Sequence, residues 1–303
     1  MSWLGRRLRD YRANGGIAFV RAVNDLWTHS LSKIGDVGAG SIFPEGVKIY
    51  EEEWDLLIVL DACRYDLMMD VADEYEFIDS VDRIWSPAST SEFWLKENFN
   101  EEHSDKMKES AMVTGNTFTE YCLSESEFQI LDEVWSYSFD DELETIPADS
   151  VLDRTIKIMR KYNPKYTVSH FMQPHAAFIN RPDIEPAPTT QSVWKSLIYG
   201  TNDGSELWQA YRDNLRYVLD RVEILLNSVD AEKVVITADH GNAMGEWWTY
   251  GHVGYVPIES QRAVPWIETS ATNDGSYQPG DIKEGNGVDD DVEEKLRTLG
   301  YVN

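Results

Sequence analysis

The chain has 303 residues, enough to bury a large core as one big α/β domain or two small ones. Its 54 acidic residues against 27 basic ones give a formal net charge of −27, which argues against binding nucleic acid or an anionic membrane through the bulk of its surface. A hydrophobic content of 42% and 12% aromatics exclude a disordered acidic chain. Two cysteines, Cys63 and Cys122, are too few for a disulfide scaffold, and Cys63 sits in an apolar run that suits a buried thiol. No run of eighteen apolar residues exists, so no spanning helix is expected, and the N-terminus lacks the apolar block of a secretory signal. The cytoplasm is the simplest location.

Residues 1–45 form a first segment. Arg6, Arg7, Arg9, Arg12 and Arg21 alternate with Leu4, Leu8, Tyr11, Phe19, Val20, Val23 and Leu26. That spacing predicts one or two amphipathic helices, either packed on the domain with solvated arginines or lying on a membrane surface. Residues 46–270 carry the main pattern. Asp55–Leu60 is a buried-strand run that ends in Asp61-Ala-Cys63-Arg64-Tyr-Asp66 and leads into a helix from Leu67 to Ala72. Ser89-Thr90-Ser91-Glu92 opens a helix, with Ser89 and Glu92 at capping-box spacing.

Residues 100–150 are acidic and poorly periodic. Ala111–Thr114 reads as a strand closed by Gly115-Asn116, and Phe128–Val134 as a strand or a helical turn. Ser150–Tyr162 is helical, Tyr166–Phe171 is β-rich and runs into Met172-Gln-Pro-His175, and the prolines of residues 181–190 mark a loop. Leu207–Val229 holds the helical period. Val234–Ala238 is a second buried strand, ending in Asp239-His240-Gly241-Asn242, where the glycine permits a sharp turn. Trp247–His252, a strand over Arg262–Ile267, and a third segment, 271–303, complete the chain. This last segment has an acidic linker over 279–291 and a helix over Val292–Leu299. Strands alternating with helices predict a three-layer α/β/α sandwich around a mainly parallel sheet.

Parallel strands would deliver Asp61, Asp239, His170, His175, His240 and His252 to one edge of the sheet, where open α/β folds place ligands. Carboxylates and imidazoles gathered there suit one or two divalent ions. The plainer alternative is an Asp239 that caps a helix and a surface His240. Among the hydroxyls at the helix start, Thr90 is left free to face a metal and act as nucleophile if Ser89 caps. The other reading is that Ser89, Thr90 and Ser91 serve only as caps.

These segments, in this order, resemble the alkaline phosphatase/sulfatase superfamily, most closely its archaeal sulfatase-like proteins. The tail Glu293–Tyr301 is also similar to the C-terminal helix of sulfatases. The resemblance implies an alkaline phosphatase-like fold and a metal-dependent hydrolase of phosphate or sulfate esters. It implies that Asp61, Thr90, Asp239 and His240 hold one metal, that Thr90 attacks, and that His175 and His252 hold a second metal or the substrate anion. His170 and Asn116 would contact substrate. Arg64 would pair with an oxygen of the transferred group or, equally, with an acid of the chain.

The ion could be Zn, Mn, Mg or Ca, with imidazoles leaning to Zn or Mn. The ester could belong to a small molecule, a glycan or a lipid head. No residue fits the Cys/Ser-x-Pro/Ala-x-Arg motif that matures to formylglycine: Cys63 precedes Arg-Tyr-Asp and Cys122 precedes Leu-Ser-Glu. This favours a plain hydroxyl nucleophile, as in the phosphodiesterase and phosphoglycerol-transferase branches. A transferase acting on a glycan or lipid, and a silent anion-binding relative, are the alternatives.

The charge itself generates a test. Self-repulsion at −27 suits strong salt, where the Debye length falls to about 3 Å at 1 M. The protein should lose its circular-dichroism signal on dialysis into dilute buffer and regain it in molar KCl. Full stability in dilute buffer would remove the halophilic reading.

Overall fold

The computed structural model describes residues 16–38, 44–186, 192–256 and 258–280. Arg6 to Arg12, the end of the 181–190 loop, and the helix expected over Val292–Leu299 lie outside the described residues. The elements used below are helix α1 (Gly16–Gly38), strand β1 (Leu56–Leu60), helix α2 (Tyr65–Met69), strand β2 (Asp82–Trp85), helix α3 (Ser91–Asn98), strands β3 (Ser110–Thr114) and β4 (Ile130–Glu133), helix α4 (Ala148–Tyr162), strand β5 (Tyr166–Phe171), helix α5 (Gly204–Leu226), strand β6 (Ala231–Thr237), the short pair β7 (Ala243–Met244) and β8 (Tyr250–Gly251), and strand β9 (Ala263–Ala271).

Seven strands form the central sheet in the order β2-β9-β6-β1-β5-β3-β4. β1 pairs in parallel with β5 and with β6, and β3 in parallel with β5 and β4. Only β9 runs the other way, antiparallel to both β6 and β2. The mainly parallel sandwich expected from the sequence is the observed architecture.

Every side chain of β1 is fully buried, because alternate residues feed two cores. Leu56, Ile58 and Leu60 point to the face covered by α4 and α5, where they meet Val151, Ile156, Leu215 and Val218. Leu57 and Val59 point to the other face, toward Trp94 and Leu95 of α3 and the Ile49–Trp54 stretch. α5 starts cleanly because the Asp203 carboxylate accepts hydrogen bonds from the amides of Ser205 and Glu206. α4 stops at Asn163, which adopts a left-handed conformation.

β2 was not expected. Its Asp-Arg-Ile-Trp is an edge strand with an exposed first half, so it lacks the apolar run that marks the central strands. The capping box expected at Ser89 is also absent. Thr90 is the residue before the helix, with extended backbone and no side-chain cap. Glu92 instead pairs with Lys96, and the Ser89 hydroxyl donates to the carbonyl of Val253 at 2.8 Å. Cys63 is a buried free thiol. No helix among the described residues is long and apolar enough to cross a membrane.

α3 is short, and its seat on the sheet depends on one large side chain. Trp94 is 1% exposed and packs against Phe99 and the ring of His170, at centroid distances of 5.8 and 5.7 Å. Trp94→Ala should therefore lower unfolding free energy by about 3–5 kcal/mol, read by denaturant titration at fixed salt. A change within 1 kcal/mol or so, the range of a surface substitution, would show that α3 is held by other contacts.

Candidate active site

The strand register brings the site together. Val59 of β1 lies opposite His170 of β5 and Thr237 of β6, so the residues just past β1 and β6 leave the sheet at the same level. Those residues are Asp61 and Asp239-His240, all three fully buried. The chain turns sharply after Asp61: Ala62 takes a left-handed backbone with φ of 60°, a conformation that is unfavourable for alanine. The turn lets the Ala62 amide donate to Asp239 Oδ1 at 2.9 Å. The His240 amide donates to the same oxygen at 2.8 Å. Gly241 does not use a left-handed conformation. A Cβ there would stand 2.4 Å from the Ser260 carbonyl oxygen, so glycine is needed for close approach rather than for a turn.

The other oxygen of Asp239 faces inward. Oδ2 accepts from the Ser91 hydroxyl at 2.6 Å, and the same hydroxyl lies 3.2 Å from His240 Nε2 and 3.5 Å from Asp61 Oδ2. His240 Nδ1 lies 3.0 Å from the Gly241 carbonyl oxygen. A carbonyl only accepts, so Nδ1 carries a proton, and Nε2 is the nitrogen turned toward Ser91 and the carboxylates. Nε2 is 3.5 Å from Asp239 Oδ2 and 3.8 Å from Asp61 Oδ1. Asn116, at the end of β3, donates from Nδ2 to Asp61 Oδ2 at 2.9 Å and so fixes that carboxylate. Burial pushes the Asp239 carboxyl up, but the imidazoles of His240 and His170, the Ser91 hydroxyl and the Ala62 amide outweigh it and leave the group below the usual range.

Asp61, Asp239 and His240 bring their ligand atoms within 4.8 Å of one another, forming a buried group that could hold a metal ion. Two buried carboxylates with one imidazole nitrogen make a donor set suited to a divalent cation, and such charges are costly without a counter-charge. His170 adds to this. It is fully buried, neither ring nitrogen has a hydrogen-bond partner among the described residues, and Nε2 stands 3.8 Å from Asp239 Oδ2.

Several sequence expectations change here. Ser91 meets the carboxylates directly, whereas the Thr90 hydroxyl is buried with no hydrogen-bond partner among the described residues. The helix starts one residue later than a Ser89 cap would place it, with Thr90 before it and Ser91 as its first residue, turned toward Asp239. His175 and His252, expected as metal ligands, flank His240 but are not in its group. The His252 ring is 4.6 Å from His240 and 5.4 Å from His175, and its Nδ1 bonds Asn242 Oδ1 at 2.8 Å. Burial pushes both His170 and His175 down to about 4, so both stay neutral at ordinary pH.

Arg64 is engaged by the chain itself. It grips Asp66 through Nε at 2.8 Å, Glu246 through Nη1 at 2.7 Å, and the Asn242 carbonyl at 3.0 Å. That leaves it as the salt-bridged arginine of the alternative reading, tying the exit of β1 to the segment after Asn242. Ser86, which the sequence did not single out, donates to the Asp239 carbonyl.

No family model and no curated protein sequence matches the chain. Solved structures match by shape. One is the soluble domain of lipooligosaccharide phosphoethanolamine transferase A from Neisseria meningitidis, at 13% identity and a TM-score of 0.52, covering 75% of this chain and 79% of that one. Another is BT1596, a 2-O GAG sulfatase, at 13% identity and a TM-score of 0.51, covering 82% of this chain and 71% of that one. The fold is alkaline phosphatase-like. It is shared by enzymes that handle phosphoryl and sulfuryl groups.

Proposed function

We propose that this chain is a metal-dependent enzyme that cleaves phosphate esters through a covalent intermediate on Ser91. The observation that carries the reading is the Ser91 hydroxyl, buried and held 2.6 Å from Asp239 Oδ2 and 3.2 Å from His240 Nε2. Asp61, Asp239 and His240 would hold the cation, supported by the fit of that donor set. A divalent cation in such a group supplies positive charge for acidifying a hydroxyl and steadying a developing anion.

The residues do the rest. Asp239 Oδ2 orients the Ser91 oxygen and takes its proton as it attacks phosphorus, while His240 Nε2 would be spent on the cation. The bond from Ser91 Oγ to phosphorus forms as the bond to the leaving oxygen breaks, and the leaving alcohol departs with a proton from solvent. Water then attacks the phosphoserine, frees Ser91 and releases phosphate or a monoester. The N-terminal end of α3, where the first helical amides lack intrahelical acceptors, favours the anionic group. Asn116 keeps Asp61 aligned. His170, His175 and His252, as neutral rings beside the group, would contact the substrate.

The lack of a formylglycine motif supports phosphate over sulfate. The phosphoethanolamine-transferase fold keeps a transferase version of the same chemistry in view, in which an acceptor alcohol replaces water in the second step.

The test is a panel of nitrophenyl phosphate, bis-nitrophenyl phosphate and nitrophenyl sulfate, with and without an acceptor alcohol. Ser91→Ala should lower kcat by about 10³-fold or more, while Thr90→Ala should stay within about tenfold. Chelation should abolish turnover, and Zn or Mn should restore it. A phosphoserine at position 91 in acid-quenched enzyme, seen by peptide mass spectrometry, is the direct readout. Loss in Thr90→Ala with full activity in Ser91→Ala would return the nucleophile to Thr90. No turnover by any metal-loaded form would leave the silent binding protein.

A further inference from the structure

Helix α1 lies on the body with its polarity reversed. The side turned toward the body carries Asn24, Asp25, Thr28, Leu31 and Ser32, of which only Leu31 is a buried apolar residue. These polar groups fasten the helix: Asn24 Nδ2 donates to the Trp248 carbonyl at 2.5 Å, Ser32 Oγ to the Gly254 carbonyl at 2.7 Å, and Asp25 stands 3.8 Å from Lys195. The opposite side presents Phe19, Val20, Val23, Leu26 and Trp27 at the i, i+1, i+4, i+7, i+8 spacing of one helical stripe. All five are exposed, Phe19 and Leu26 to 63%. A helix on an ordinary domain turns such a stripe inward.

The stripe does not end with the helix. Trp27 Nε1 donates to the Trp247 carbonyl at 2.8 Å, and Trp247 and Trp248 are themselves exposed, at 59% and 38%. Both occupy left-handed backbone conformations at the tip of the β7–β8 hairpin, a strained placement that turns two large rings outward. The base of that hairpin is the Asn242–His252 contact beside His240. The same hairpin therefore carries the exposed aromatics at one end and the edge of the candidate site at the other.

Charge decides what covers this face. In a chain of net charge −27, residues 1–21 hold Arg6, Arg7, Arg9, Arg12 and Arg21 against Asp10 alone, interleaved with Trp3, Leu4, Leu8 and Tyr11. A second copy meeting this face by a two-fold contact would bring two arginine-rich stretches of like charge together. An arginine-rich sequence leading into an apolar, tryptophan-bearing helix is a composition that settles at a lipid headgroup boundary. We propose that the α1 stripe with Trp247 and Trp248 docks the protein on an anionic lipid bilayer, which faces the site toward the membrane. Resting on the reading of the site given above, the substrate class is then a phosphoester borne on a lipid head.

The experiment uses the full chain at the lowest salt in which circular dichroism shows it folded, so that charge is screened least, sedimented with phosphatidylcholine vesicles with and without a minority of phosphatidylglycerol. Wild type should pellet with the phosphatidylglycerol vesicles. Val23→Asp combined with Leu26→Asp, on the exposed side of α1, should weaken that binding about tenfold or more with unchanged circular dichroism. Replacing Arg6, Arg7, Arg9 and Arg12 by Gln should remove the preference for phosphatidylglycerol. Wild type that stays in the supernatant with every vesicle overturns the proposal, as does a double variant that binds like wild type. A wild-type dimer that the double variant splits, with no vesicle binding, assigns the face to a second copy instead. Turnover of a soluble nitrophenyl ester is measured alongside. It should be the same in wild type and double variant, and its absence in both would refute the reading of the site while vesicle binding still decides the docking surface.

Discussion

The Asp239 carboxylate is the joint on which the molecule depends. One oxygen receives the amides of Ala62 and His240, and so locks the exits of two neighbouring parallel strands together. The other receives the hydroxyl of Ser91, and so draws the start of α3 down onto the sheet edge. Three segments far apart in sequence meet at one fully buried group. Burying a carboxylate is unfavourable unless its lone pairs are taken up, and here backbone amides, a hydroxyl and nearby imidazoles do so. The left-handed turn at Ala62 is the geometric consequence, since it aims an amide at the acid on the next strand.

A second tier holds this joint in place. Arg64 spans from Asp66 to Glu246 and the Asn242 carbonyl, and its guanidinium also lies 5.0 Å over the Trp208 ring of α5. Its carbon stem fills the space where a side chain at Gly241 would stand. The arginine thus acts on the site through position, by fixing the segment that runs from His240 into the β7–β8 hairpin. Three serines do comparable work from the other side. Ser86 holds the Asp239 carbonyl, Ser89 holds the Val253 carbonyl, and Ser91 reaches the carboxylate. The stretch that reads as capping chemistry is a strap stitched to the β6 exit.

What was legible in the sequence follows from how strongly burial marks it. β1, β5 and β6 are buried on both faces, so they show as apolar runs, and the acids and histidines after them stand out as polar residues at strand ends. α4 and α5 bury one stripe each against the sheet, so their periodicity survives in the sequence. The edge strand β2 buries little, and the β7–β8 pair has only two residues in each strand, so neither leaves a pattern. The Ser89–Glu92 spacing mimics a capping box, yet both side chains have better partners in the fold: the Val253 carbonyl for one and Lys96 for the other. The helix therefore starts one residue later than that spacing suggests, with Ser91 as its first residue. Pairing of Arg64 with an acid was one of two open readings, and Asp66 stands two residues on, but Glu246 lies 182 positions away and leaves no local signal.

α1 shows a limit of periodicity of another kind. A helical repeat of apolar residues reveals that one side differs from the other, but not which side the body will take. Here the body takes the polar side, because what it offers there are carbonyl groups of the 247–254 segment, and these need donors. The apolar stripe is left for another surface. This bears on how an anionic ester would reach the site at all. Long-range repulsion works against it, since the chain as a whole is strongly acidic and Arg64 is already paired with acids. Screening by salt removes the repulsion but adds no attraction. On the docking proposed above, a substrate presented at the bilayer would need no steering through solution, because one hairpin joins the exposed aromatics to the edge of the candidate site.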